Sequence, residues 1–174
     1  MANIISFSGT DGAGKSTQIS MLENHLKSSG VKTFRFWARG GYTPLFSLSK
    51  KILRKIAPKS MPKAGPSGRR SQQFEFSGVR KVWLLISILD LLLCYSVWLR
   101  VKLVLGYTVI CDRYVVDSLL DFNNNFPNEQ VESWWIWRAL EALSPKPRLR
   151  FLLIVEPAES ARRSILKNEP FPDT

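Results

Sequence analysis

The sequence of 174 residues predicts an α/β fold, a parallel sheet with helices on both faces, on three observations. A short β-prone strand at residues 3–8 enters a glycine-rich loop, and a helix leaves it. Further strand-like and helix-like segments then alternate to the C-terminus, as they do in parallel sheets. A later apolar strand ends in Asp112-Arg113-Tyr114, a carboxylate and a guanidinium at the strand's C-terminal end, where open parallel sheets bind ligands.

The first strand is Asn3-Ile4-Ile5-Ser6-Phe7-Ser8. Gly9-Thr10-Asp11-Gly12-Ala13-Gly14-Lys15-Ser16 follows and fits G-x-x-x-x-G-K-S/T, with a strand before it and a helix after it. Glycines let such a backbone wrap an anion and turn its N–H groups inward. The helix N-terminus adds partial positive charge. Gly9, Asp11, Gly12, Ala13, Gly14, Lys15, Ser16 and Thr17 are therefore the candidate ATP-binding residues. In such loops the lysine, here Lys15, reaches the β- and γ-phosphates, and the Ser16 hydroxyl ligates Mg2+. With the alternating elements, this loop makes the predicted fold a P-loop NTPase three-layer sandwich, a single domain over residues 1–174.

The first helix covers residues 17–26, with Ile19, Leu22 and Leu26 on one face, and Gly30 ends it. A second strand covers 31–37, and Arg39-Gly40-Gly41 is a loop. Residues 45–57 form a basic, partly amphipathic helix, and residues 58–73 a flexible basic insert rich in proline and glycine. A long apolar helix at 82–105 leads into a third strand at 107–111, ending at Asp112. A helix at 115–122, a turn at 123–127, a helix at 130–143, a strand at 148–155 and a last helix at 158–167 complete the chain.

A formal charge of +11 implies anionic partners, and much of it lies in residues 50–81. No interleaved basic and aromatic motif appears, so nucleic acid is not an expected partner. Trp134, Trp135 and Trp137 read as core and interface residues, not as a base-stacking platform. Cys94 and Cys111 both lie in apolar runs, as reduced core thiols of a cytoplasmic protein do. A single histidine, His25, argues against a histidine-based triad or a zinc site. The first strand enters the glycine-rich loop directly, without a basic-then-apolar leader. Residues 82–99 approach membrane-spanning length. Asp90 falls near the middle of that run, where a carboxylate is costly in lipid, and Arg80, Lys81, Arg100 and Lys102 flank it. The segment therefore reads as a buried or homodimer-forming helix, ahead of peripheral membrane contact and of a span. Asp112 is a candidate Mg2+ ligand beside Ser16, and Arg113 a clamp for anionic oxygens. The alternative is an Asp–Arg ion pair that fixes the strand end.

On these residues the chain resembles the thymidylate kinase family. Phe7-Ser8-Gly9-Thr10-Asp11-Gly12-Ala13-Gly14-Lys15-Ser16-Thr17-Gln18 resembles that family's P-loop, acidic residue included. Asp112-Arg113-Tyr114 resembles its second signature. Ser144-Pro145-Lys146-Pro147-Arg148-Leu149, with the strand after it and Glu156-Pro157-Ala158-Glu159, resembles its fourth strand and the approach to its lid. The resemblance implies a kinase that moves the γ-phosphate of Mg-ATP to a nucleoside monophosphate, dTMP first. It implies that Asp11 bonds the acceptor's sugar hydroxyl, Arg39 holds the acceptor phosphate, and Arg113 contacts the acceptor or transferring phosphate. Gly12 stands at a position that is basic in some members. Members without that charge carry lid arginines instead, which assigns the clamp to Arg162 and Arg163, with Lys167. The implied catalytic set is Lys15, Arg113, Arg162 and Arg163; the acceptor set is Asp11, Arg39 and Arg113; the metal set is Ser16 and Asp112.

The chain also departs from the family. The family reads its base with an aromatic and an arginine in the helix before the third strand. Residues 84–93 hold neither, and Asp90 lies close to the arginine's place. Asp117 stands where the family has a serine. The sequence stops at Phe171-Pro172-Asp173-Thr174, short of the rest of the lid, a further strand and an adenine-contacting loop. Two rival expectations follow: a kinase for a non-thymidine acceptor, glycan- or lipid-linked, and a non-catalytic nucleotide-binding module.

Overall fold

Four strands pair in parallel in the order β2-β3-β1-β4: β1 (Ile4–Gly9), β2 (Thr33–Trp37), β3 (Thr108–Asp112) and β4 (Leu149–Leu153). The computed structural model describes residues 3–38, 77–156, 158–160 and 162. The expected helix at 45–57, the insert at 58–73 and the Arg39-Gly40-Gly41 loop lie outside the described residues, as does most of the last helix. The helices, in order, are α1 (Lys15–Ser28), α2 (Ser77–Leu92), α3 (Leu99–Val104), α4 (Val115–Asn125) and α5 (Trp135–Leu143). The chain divides into two compact units. One comprises Met1–Trp37, Val97–Asp117 and Pro145–Thr174; the other comprises Ala38–Ser96 and Ser118–Ser144.

The first unit holds the sheet. Side chains alternate along a strand, so register decides which residues share a face. Ile5 and Arg35 both align with Ile110, and Phe7 and Trp37 with Asp112. Ile5, Phe7, Arg35, Ile110 and Asp112 therefore share one face. Helix α1 covers it, with Ile19 fully buried against Ile5, Phe7 and Ile110, and Leu22, Leu26 and Leu153 packed around them. Phe7 also stacks on Phe151 at 5.0 Å. Phe34 and Val109 belong to the opposite face, where Lys102 of α3 places its ammonium 4.6 Å from the Phe34 ring. Right-handed crossovers demand this arrangement, because the step from β1 to β2 and the step back to β3 run in opposite directions along the sheet. Helices thus cover both faces, and the fold is an α/β P-loop NTPase fold. Both helices that feed strands here end alike. Gly30 and Gly106 take φ of 76° and 83°, and Val31 N and Tyr107 N donate back to Leu26 O and Lys102 O. This is the Schellman arrangement, which glycine adopts without a Cβ penalty.

In the second unit α2 packs on α5. Trp83 meets Phe122 at 6.4 Å and Phe126 at 5.6 Å, and Phe122 meets Trp137 edge-on at 6.1 Å. Arg80 pairs with the buried Glu129 at 2.5 Å.

Strand and helix ends shift by a residue or two elsewhere, and three elements differ more. The long helix starts at Ser77 and contains a π-helical stretch, Leu93–Trp98. Leu91, Tyr95 and Leu99 are all fully buried, every fourth residue, and a wider turn keeps that spacing on one face. Helix α4 runs on through Asn125, into the expected turn. The expected helix at 130–143 begins only at Trp135. Short 3-10 turns at Pro127–Glu129 and Val131–Ser133 precede it, because Gln130 is left-handed at φ 44° and Trp134 is extended. Of the three tryptophans there, Trp137 is core, Trp134 donates its ring N–H to Glu129 O at 3.0 Å, and Trp135 is 74% exposed.

The helix Arg80–Val104 is long and apolar enough to cross a membrane by length and composition, a test that core helices of soluble proteins also pass. One face is buried at Leu84, Ile88, Leu91, Tyr95 and Leu99. Asp90 is buried too. Val82, Leu85, Leu89, Leu93, Val97 and Val101 are exposed. Cys94 and Cys111 are both free and buried, as expected.

Candidate active site

Strand β1 delivers the glycine-rich loop, and α1 receives it. Gly9 aligns with Leu153 of β4, and a Cβ at Gly9 would collide with the Leu153 carbonyl oxygen. Gly14, at φ 84°, is the N-cap of α1 and accepts from Thr17 N and Gln18 N, both at 3.1 Å. Lys15 is the first residue of the helix and is buried. Its ammonium donates to Gly9 O at 2.7 Å and Thr10 O at 2.6 Å and lies 3.7 Å from Asp11 Oδ1. Folding back over the loop in this way holds the ammonium at the loop's mouth. Ser16 and Thr17 are exposed on the first turn.

Strand β3 ends beside β1, with Asp112 in register with Phe7. Asp112 is buried and accepts from Arg35 Nη2 at 3.3 Å. Arg113 leaves the strand at φ 73°. A left-handed residue with a side chain costs about 1–2 kcal/mol. Hydrogen bonds on either side hold the turn. Arg113 N donates to Phe7 O at 2.8 Å, and Tyr114 N donates to Asp117 Oδ2 at 2.8 Å. Ser8 Oγ donates to the same Asp117 oxygen at 2.7 Å, and the Tyr114 hydroxyl donates to Pro145 O. The turn delivers the Arg113 guanidinium 2.6 Å from Asp11 Oδ1. One carboxylate oxygen thus lies against both buried cations, Lys15 and Arg113. Ser160 Oγ donates to Asp11 O at 2.5 Å, tying the segment after β4 to the loop.

Burial sets the protonation of the groups behind the turn. It pushes the Cys111 thiol well above its ordinary range, and the neighbouring Asp112 charge adds to the shift. Burial likewise pushes the Tyr114 phenol up, and Cys111 adds to it. Both groups stay neutral at physiological pH.

The structure therefore brings Asp11, Lys15, Asp112 and Arg113 together at the C-terminal edge of the central strands. Arg162 is placed differently. It is exposed and forks onto Glu159 at 2.8 and 3.0 Å, a contact within its own segment that holds its charge. Arg39 and Arg163 lie outside the described residues. Arg35, Ser8 and Ser160 were not singled out from the sequence. Arg35 carried a faint signal, a charge between Phe34 and Phe36 on a strand; the two serines carried none.

A parallel sheet with a P-loop at the switch between β1 and β3 defines a nucleotide-binding P-loop fold. The thymidylate kinase of Caldicellulosiruptor saccharolyticus is 30% identical over 122 residues, covering 67% of this chain and 47% of that protein. The thymidylate kinase of Desulfotalea psychrophila is 68% identical over 28 residues, 16% of this chain and 14% of that protein. Among solved structures, thymidylate kinase from Ehrlichia chaffeensis superposes with a TM-score of 0.53 at 22% identity, over 97% of this chain and 89% of that one, a likeness of fold. No family model matches the sequence. The chain is thymidylate-kinase-like. It spans about half the length of the Caldicellulosiruptor relative and less of the other.

Proposed function

We propose that the chain is a cytoplasmic phosphotransferase that moves the γ-phosphate of Mg-ATP to a nucleoside monophosphate, dTMP first. The observation that carries this reading is the meeting of Lys15 and Arg113 at one Asp11 oxygen, 3.7 and 2.6 Å away. Two cations held that close to a shared anionic oxygen are spaced to share a phosphoryl group. A monophosphate acceptor is already a nucleophile, so positioning and charge neutralisation carry the catalysis.

In this reading the loop residues from Gly9 to Thr17 seat the ATP phosphates, and Lys15 holds the transferring group. Arg113 and Arg39 hold the acceptor phosphate, and Asp11 takes the acceptor's sugar hydroxyl once Arg113 turns to phosphate. Arg162, released from Glu159, and Arg163 close on the transferring group from the lid. The Ser16 hydroxyl and the Asp112 carboxylate are hard oxygen donors. They suit Mg2+, which takes one or two protein ligands when the nucleotide phosphates supply the rest. Bound there, the ion would neutralise charge on the β- and γ-phosphates.

A second reading keeps the phosphoryl transfer and changes the acceptor. Asp90 stands near where the family carries a base-reading arginine, and a carboxylate cannot donate what a guanidinium donates. That change favours a non-thymidine acceptor, and the basic residues 50–81 with the apolar run 82–105 favour a glycan- or lipid-linked one. One assay separates the readings: ADP release from Mg-ATP with dTMP, dUMP, UMP, CMP and AMP, beside a Lys15→Ala control. Lys15-dependent turnover with dTMP supports the first. Tight ATP binding with no turnover on any of the five removes it.

A further inference from the structure

We infer that Asp117 is a positioning residue for Arg113, locking the turn that delivers the guanidinium to the mouth of the P-loop; this rests on the phosphate-contacting role proposed for Arg113. Asp117 is buried, and a single oxygen of it accepts two hydrogen bonds. One comes from Tyr114 N, the backbone group directly after the left-handed Arg113. The other comes from Ser8 Oγ, one residue before Gly9 of the P-loop. The carboxylate therefore bridges the two segments that must stay in register if Arg113 and Lys15 are to face the same oxygen. The backbone bond from Arg113 N to Phe7 O fixes the start of the turn, and Asp117 fixes its end. Without that second anchor, Arg113 has every reason to leave φ 73°, since an extended or right-handed backbone suits a side chain better.

The competing role is a plain helix cap, because Asp117 lies in the first turn of α4, where a carboxylate favours the helix dipole. The two roles predict different results. Positioning predicts that Asp117→Ala lowers kcat for the best monophosphate acceptor by about 10- to 100-fold, the scale of a small misplacement of a catalytic group. It also predicts that this loss disappears when Arg113 is already alanine. Asp117→Asn keeps an acceptor oxygen for both donors and retains most of the activity. An equal loss from Asp117→Ala in the wild-type and Arg113→Ala backgrounds would overturn the assignment in favour of a cap. Crystal structures of the wild type and Asp117→Ala decide the same point without turnover. Arg113 should leave its left-handed conformation and its contact with Asp11; an unmoved Arg113 overturns the inference. A wild-type protein that phosphorylates no acceptor would count against the proposed function, and the structural comparison would still decide the role of Asp117.

Discussion

The P-loop end of the sheet and the long helix Arg80–Val104 are built on opposite terms. At the sheet end, charged and polar groups gather, most of them meeting across long stretches of sequence: Arg113 at Asp11, Arg35 at Asp112 and Ser8 at Asp117, with Lys15 joining Asp11 from four residues away. On the helix, apolar residues run nearly unbroken, and the one carboxylate among them, Asp90, is buried. Asp11, Lys15 and Arg113, three of the groups to which the thymidylate kinase resemblance assigns phosphate and sugar contacts, come together at the sheet end, whereas residues 84–93 of the helix lack the aromatic and the arginine that the resemblance calls for. Under the proposed function, the two halves of a transfer reaction, holding phosphate and choosing an acceptor, would be written in separate parts of the chain and could diverge separately.

That separation can be broken by substitution. Lys15→Ala should lower transfer to every acceptor by about 10³-fold or more while leaving the melting temperature close to the wild type's. Arg113→Ala should cost about 10²- to 10³-fold in kcat, again for every acceptor. If either variant lost turnover with one acceptor and kept it with another, phosphate handling and acceptor choice would not be separate. Asp90→Asn should sharpen the contrast from the other side: KM values across the acceptor panel should shift relative to one another, with ATP affinity unchanged. Gly9→Ala tests the scaffold under both, because its new Cβ meets the Leu153 carbonyl. It should destabilise the fold by about 1–3 kcal/mol, read by urea unfolding, and weaken ATP binding with it.

The smallest effect concerns Cys94 on the apolar helix. Burial, aided by the nearby Asp90 charge, pushes its thiol from 9.0 up to about 12. The folded state therefore holds its proton more tightly than the unfolded state. The stability this contributes is fully present below pH 9 and declines as pH rises from there toward 12. Thiol-reactive probes at pH 8 should label neither Cys94 nor Cys111 until the protein unfolds. Rapid labelling of the native protein would contradict the burial.

Much of the sheet end was legible in the sequence. A glycine-rich loop between a strand and a helix, and an apolar strand ending in Asp112-Arg113, are local patterns with few alternative readings. The pairings were not legible. Arg113 meets Asp11 only because β3 lies beside β1 in one register, and Ser160 reaches Asp11 only because β4 flanks the other side. Arg113's left-handed turn is likewise set by Phe7 and Asp117, not by its own preference. On the long helix, periodicity marked an apolar segment correctly but could not reveal the π-helical stretch, which follows from a tertiary demand to keep Tyr95 and Leu99 inside. At residues 130–134, apolar and tryptophan-rich sequence read as helix. The side-chain bond from Trp134 to Glu129 O accompanies an extended backbone there instead.

In the proposed mechanism Lys15 and Arg113 act together on a phosphoryl group moving from ATP. Its most direct test is a single-turnover measurement of γ-phosphate transfer from Mg-ATP to dTMP by the wild type, Lys15→Ala, Arg113→Ala and the double variant. The wild type should transfer rapidly, each single variant should lose nearly all transfer, and the double variant should lose little more. Transfer that persists without Lys15, or losses that multiply independently, would contradict that mechanism.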